Sequence, residues 1–219
     1  MEEIISVLAR CPLFSDLEAP ALAALLPQLR PVRCRRARGE AILRPGERPP
    51  GVGVVLSGSA RVVREDFWGG RALLTALGPG DLFAEAFVCA GVPSAVRVEA
   101  VQDVQVLFLP APALLSPPPG GEGLPARLLE LTARKNLLLN RKIHHLSQRT
   151  TRAKVLSYLS WQAELAGSPA FTIPLDRQEL ADYLAVDRSA LSAQLSRLRR
   201  EGVLEFRRSW FYLRQRPET

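Results

Sequence analysis

A chain of 219 residues with 47% hydrophobic and 23% charged side chains has a globular composition and can bury the cores of one large domain or two ordinary ones. Its three cysteines, Cys11, Cys34 and Cys89, are widely spaced and odd in number, which argues for a reducing cytoplasm rather than a disulfide frame. The net charge of +7 is concentrated: residues 1–119 hold 12 Lys/Arg against 12 Asp/Glu, and residues 120–219 hold 17 against 10, so the surplus needed to meet a polyanion lies in the second half.

The acidic start MEEIISVLARCPLF has no signal-peptide run, and no window is long and apolar enough to span a bilayer. Nor does any cationic amphipathic stretch suit a membrane surface. Glu2–Arg10 reads as a short helix ended by Pro12, and Asp16–Leu29 as a second, with Leu22, Leu25, Leu26 and Leu29 on one side. From Val32 onward the pattern changes. Turn signals (RPGE at 44–47, Gly51 and Gly53, SGS at 57–59, WGG at 68–70, GPG at 78–80, Gly91–Pro93) separate apolar runs at Val52–Leu56, Ala60–Arg64, Ala72–Leu77, Ala95–Val101 and Val104–Leu109. Short strands at this even spacing argue for a β-roll or jelly-roll.

Ser116–Gly123, SPPPGGEG, reads as a loop. A single long helix follows, whose Leu124, Leu128, Leu131, Leu138, Leu139, Ile143 and Leu146 form a stripe close to heptad spacing, interrupted by Lys135. Thr150–Gly167 is another helix with Val155, Leu156, Leu159 and Leu165 inward, and Phe171–Pro174 is a short strand. The fold class is therefore α+β, divided into a roll (1–118), a long helix (119–148) and a C-terminal domain (149–219).

The most informative stretch is DRQELADYLAVDRSALSAQLSRLRREG, residues 176–202. Asp176 with Glu179 predicts a capping box, and Leu180, Tyr183 and Leu184 mark one face of a short helix. Ala185 and Val186 carry a turn. Asp187 is expected to cap a second helix whose Leu191, Leu195 and Leu198 repeat at i, i+4 and i+7. Arg188, Ser189, Ser192, Ala193 and Ser196 point the other way. In a helix-turn-helix the first turns of the second helix meet base edges in double-stranded DNA, where arginine pairs with both guanine acceptors and small side chains permit close approach. Val203–Leu213, VLEFRRSWFYL, reads as a strand pair with Arg207, Arg208 and Ser209 at its turn, which makes the element a winged helix with a phosphate-contacting tip. Arg177, at the start of the first helix, joins the expected contacts. A reading helix gains specificity from a second half-site. The expected assembly is thus a homodimer through Leu124, Leu128, Leu131, Leu138, Ile143 and Leu146, although packing of that stripe within the chain is the alternative.

The order of roll, long helix and winged helix resembles the Crp/Fnr family of bacterial transcription regulators. The resemblance is carried by CPLF at 11–14, VGVVLSGSARVV at 52–63, GPGDLFAEAF at 78–87, TTRAKVLSYL at 150–159 and the block 171–204. It implies base-reading roles for Arg188, Ser189, Ser192 and Ala193, a pseudo-palindromic site, and recruitment or blocking of RNA polymerase. It also implies an effector pocket at Phe83, Ala84, Glu85, Ser94, Ala95, Leu139 and Asn140. Here the chain departs from the members that bind cyclic AMP. Their Gly-Glu pair reads Ala84-Glu85, their Arg-Ser pair reads Pro93-Ser94, and their adenine-facing Thr-Ser pair reads Leu139-Asn140. Losing the phosphate-neutralising arginine argues against cyclic AMP, although Glu85 can still accept from a ribose hydroxyl and Ser94 can still donate.

Three cysteines cannot supply the four thiolates of an iron–sulfur cluster. The only histidines, His144 and His145, point about 100° apart on a helix; they are poor haem ligands and are expected at a dimer seam or in solvent. Cys89 is expected as a buried structural thiol rather than a redox sensor. No metal site is expected, and no nucleophile–histidine constellation or phosphate-binding loop points to an enzyme. The competing reading is a ligand-sensing or protein-interaction module whose winged helix docks on a protein.

Overall fold

The computed structural model describes residues 2–65 and 71–214, so the WGG turn expected at 68–70 lies outside the described residues. Two compact units divide within the long helix, residues 1–134 forming one and 135–219 the other. The expected separate helical segment 119–148 is thus shared between them.

In the first unit, α1 (Glu2–Leu8) and α2 (Ala19–Leu25) lead into two antiparallel four-stranded sheets. The expected helix 16–29 begins only at Ala19, with Pro20 in its first turn, and finishes as a tighter turn at Leu26–Leu29 around Pro27. One sheet has the order β1 (Val32–Arg36), β8 (Val104–Leu109), β3 (Val52–Ser57), β6 (Leu82–Phe83). The other has the order β2 (Ala41–Leu43), β7 (Arg97–Ala100), β4 (Ala60–Glu65), β5 (Arg71–Leu77). The strand β1 lies at an edge and exposes Arg33 and Arg35.

The central strands alternate between two cores, as a period of two demands. Val104, Val106 and Phe108 of β8 face the interior of the roll, while Leu107 and Leu109 face the helices. In β3, Val55 points inward and Val52, Val54 and Leu56 point to the helical side. Gly53 leaves room for Phe83: a Cβ there would fall 2.2 Å from the Phe83 ring. Two short helices follow strands, α3 (Glu85–Ala90) and α4 (Ala111–Leu115), and residues 116–123 are irregular, as expected. Cys89 is exposed on α3, against the expectation of burial, because six residues offer too little helix to bury more than one side. Partial burial and the Glu85 charge push its thiol pKa up, away from the reactive thiolate.

The long helix α5 runs over Leu124–Ser147, within the expected helical segment 119–148. Its first two stripe leucines do not serve a partner. Leu124 and Leu128 are buried in the helical core of the first unit, with Leu131 packed against it. Arg127 fastens the same turn by donating from Nε to the Pro12 carbonyl at 2.9 Å and pairing with Glu130 at 2.7 Å.

In the second unit, α6 (Thr151–Ala166), α7 (Arg177–Leu184) and α8 (Arg188–Arg200) surround one core with a sheet of order β10 (Leu204–Arg207), β11 (Trp210–Leu213), β9 (Ala170–Thr172). The Thr150 hydroxyl caps α6 by accepting from the Ala153 N–H at 3.1 Å. Leu165, expected inward, is 65% exposed in the last turn of α6. His145 also departs from expectation. It is 2% exposed, enclosed by Tyr158, Trp161 and Tyr183 with ring centroids 5.6–6.3 Å away, and its Nδ1 meets Ser157 Oγ at 2.8 Å. His144, one helical step round, is exposed. The rotation that separates the two rings sends one to solvent and the other into the core.

Burial, aided by the charges of His144 and Arg141, holds His145 below the ordinary imidazole pKa. The unfolded chain therefore binds a proton here more readily than the folded one. Stability from this group is full above the ordinary value of about 6.5 and is lost as pH falls below it. Thermal unfolding of the wild type should show a falling midpoint between about pH 7 and pH 5, and His145→Gln should flatten that interval; an equally steep fall in the variant would remove His145 as the cause.

Candidate nucleic-acid interface

Two short helices at a fixed angle form the frame. The capping box at the start of α7 is complete: Glu179 N–H donates to Asp176 Oδ1 at 2.8 Å and Asp176 N–H to Glu179 Oε2 at 2.7 Å. At the other end Ala185 adopts a left-handed conformation, φ +49°, and the Val186 N–H reaches back to the Ala181 carbonyl at 3.0 Å. Lys154 of α6 donates from Nζ to the carbonyls of Leu184 and Ala185 at 3.1 and 3.4 Å, placing a cation on the helix C-terminus. Sequence reasoning missed Lys154. A lysine in an amphipathic helix reads as solvated until its partner is known.

On α8, Leu191, Leu195 and Leu198 have no exposed surface. Arg188, Ser189, Ser192 and Ala193 are exposed, and Ser196 is half-buried. The fold therefore brings the five expected reading residues onto one side of α8. Asp187 occupies the N-cap position, but its carboxylate makes no capping bond, contrary to expectation. Arg188 also opposes the helix dipole at this end. The exposed Asp187 carboxylate at the N-cap position offsets that unfavourable charge without bonding to the helix.

The wing follows directly. Leu204 pairs with Leu213 and Arg207 with Trp210 across β10 and β11. Arg208 and Ser209 form the turn, with Arg208 at φ +55°. Glycine or asparagine is the usual occupant of such a position, so an arginine costs about 1 kcal/mol of backbone strain there. Arg207 and Arg208 are exposed. Arg177 behaves differently from the expected surface contact: it is half-buried, with its guanidinium 5.2 Å from the Phe206 ring centroid. Burial, with the neighbouring Arg188 charge, holds its pKa below the ordinary arginine value.

The residues expected around an effector sit differently. Phe83 is buried inside the roll, edge-to-face with Phe108 at 5.8 Å. Ala84 takes φ +63° in front of α3, a conformation natural to glycine, and Glu85 is buried as the first residue of that helix. Ser94 is buried, but its hydroxyl donates to the Val96 carbonyl at 2.9 Å and accepts from the Val96 N–H at 3.2 Å. The expected donation to a ligand is therefore already spent within the loop. Ala95 is exposed. Leu139 is 59% exposed, and Asn140 donates to Asn136 Oδ1 at 2.7 Å.

Residues 33–116 match the family described as the cyclic nucleotide-binding domain, and residues 153–218 match the Crp-like helix-turn-helix domain. The CRP-like cAMP-activated global transcriptional regulator of Mycobacterium tuberculosis (strain ATCC 25618 / H37Rv) is 25% identical over 201 residues, covering 90% of this chain and 89% of that protein. The crystal structure of the Thermus thermophilus catabolite activator protein aligns with a TM-score of 0.53 at 26% identity, over 94% of each chain. CprK complexed with OCPA shares the fold, with a TM-score of 0.62 at 15% identity over 88% of this chain and 91% of its own.

A roll of the cyclic-nucleotide-binding type and a winged helix-turn-helix in one chain define a DNA-binding transcription regulator with a built-in sensor-type domain. No helix among the described residues is long and apolar enough to cross a membrane. The chain belongs to the Crp/Fnr family of transcription regulators.

The strained tip gives two effects of opposite sign. Arg208→Gly should raise the thermal midpoint by relieving the left-handed backbone, and, if the tip meets phosphate as expected from the sequence, should weaken duplex binding. Differential scanning calorimetry and fluorescence anisotropy read the two; a gain in both would show that Arg208 makes no contact.

Proposed function

We propose that the protein acts as a homodimer on a pseudo-palindromic DNA site, each subunit laying the first two turns of α8 in the major groove. The observation that carries this is the exposed row Arg188, Ser189, Ser192 and Ala193 on a helix backed by three fully buried leucines. Arg188 reads a guanine with its two-pronged fork, the small side chains allow close approach, and Arg207 and Arg208 hold the backbone. The protein works by binding rather than catalysis, and RNA polymerase is recruited or blocked at the bound site.

The dimer face in this reading is narrower than the leucine stripe suggests. Leu129, Asn136, Leu139 and Ile143 are exposed on α5, and with Thr132 and Leu146 they follow alternating steps of three and four. That rhythm is the seam of a two-stranded coiled coil, in which a polar Asn136 favours one register. Leu138 is 56% exposed and flanks the seam.

Selection from random duplexes should enrich a two-fold symmetric motif. Arg188→Ala should relax one base position in each half and cost about 1–3 kcal/mol per half-site, and Leu139→Glu with Ile143→Glu should give a monomer in sedimentation that enriches no paired motif. An asymmetric motif from the wild type, or unchanged preference in Arg188→Ala, sinks the proposal.

The Mycobacterium tuberculosis relative is cAMP-activated by name; for this chain we propose a different effector or none. Pro93 offers no charge to a cyclic phosphate, and burying that anion unpaired is costly. The reading includes no iron–sulfur cluster, since the chain has three cysteines, and no haem, since His144 and His145 face apart. Calorimetry with cyclic AMP should show no binding heat, and tight binding would overturn the assignment.

A further inference from the structure

The wing tip is tied to the segment before α7 by more than its own hairpin. The Ile173 N–H donates to the Ser209 carbonyl at 2.9 Å, and the Ser209 hydroxyl donates to the Leu175 carbonyl at 3.2 Å. Arg177 completes the tether. Its Nη2 donates to the Arg208 carbonyl at 3.2 Å, and its guanidinium carbon lies 5.2 Å from the Phe206 centroid and 5.9 Å from that of Phe211. Those two rings are in turn stacked, 6.1 Å apart with 26° between their planes. The planar cation thus spans both strands of the wing at once and grips the main chain of the tip residue.

This attachment is selective about chemistry. A guanidinium can lie flat on two aromatic rings while one N–H points at a carbonyl; an ammonium is a point charge and cannot do both. The residue it grips is the one at φ +55°, which a free hairpin would relax. The carbonyl of a left-handed turn residue needs a fixed donor if the turn is to hold one direction, and Arg177 supplies it.

From this juxtaposition we infer that Arg177 is a positioning residue for DNA binding: it fixes the direction in which Arg208 meets the phosphate backbone and makes no phosphate contact of its own. The inference rests on the DNA-binding reading of the winged helix. Arg177 belongs to α7, and α7 carries the turn that sets α8, so its grip also gives the wing tip and the reading helix a common reference.

The test is the salt dependence of duplex affinity in the full chain, measured by anisotropy on the motif that the wild type selects. Each phosphate contact contributes about 0.9 to the slope of log affinity against log salt for B-DNA. Arg177→Lys retains the charge but, present in both subunits of the dimer, should reduce the slope by about twice that amount, as Arg177→Met should. Neither should lower the slope further when combined with Arg208→Gly, because both substitutions remove the same phosphate interaction. Thermal denaturation checks that each variant is folded, and a smaller active fraction leaves the slope unchanged, so simple destabilisation cannot mimic the result. A Lys variant with the wild-type slope overturns the inference. So does a double variant whose slope falls by twice the single-variant amount, which would make Arg177 a direct phosphate ligand. A wild type that selects no duplex removes the DNA reading and this inference with it.

Discussion

The rotation of α8 about its own axis is fixed by Leu191, Leu195 and Leu198, and the interface depends on that orientation. Three side chains with no exposed surface, spaced by four and then three residues, leave the helix no freedom to turn. Everything a duplex would meet follows from that constraint: Arg188 at the leading end, two serines and an alanine behind it, and a wing whose tip is tethered to the start of α7. The apolar contacts that stabilise the C-terminal core also aim its polar side chains, so stability and recognition cannot be separated at these positions.

The ends of the helices show where stability was set aside. The start of α7 has a complete capping box, while α8 begins with an uncapped turn and a cation facing the positive end of its dipole. The tip arginine occupies a left-handed turn that glycine would accept more easily. Both exceptions lie on the surface assigned to DNA. Ala185, at φ +49° in the turn between α7 and α8, is strained in the same way as the tip arginine, so the turn that sets α8 and the wing share this feature.

Much of this is legible in the sequence, and the failures have physical causes. The C-terminal helices, their turn and the hairpin carry strong periodicity and local capping chemistry, which decide structure over a few residues. The strands with both faces buried read directly as apolar runs. The strands β1, β2 and β6 escape such a reading, because VRCRR is too polar to look like a strand and the others span three and two residues. Periodicity gives the stripe on α5 but not its occupants: Leu124 and Leu128 join a core built from α1, α2 and the sheet, which come from far away in the chain. His145 defeats expectation for a similar reason. Its partners are aromatic residues of α6 and α7, and no local pattern announces them. The effector residues carry least information, since the hydrogen bonds that occupy the Ser94 hydroxyl lie within a loop whose shape the sequence does not dictate.

The edge of the roll has its own consequence. The strand β1 ends its sheet with Arg33 and Arg35 exposed, where an apolar strand would offer an open row of amide groups to any neighbouring molecule. Two guanidinium groups along that rim repel an identical rim and deny it the close approach that intermolecular strand pairing requires. Pairing of one roll's edge with another's is thereby disfavoured, and the protection weakens as salt screens the repulsion.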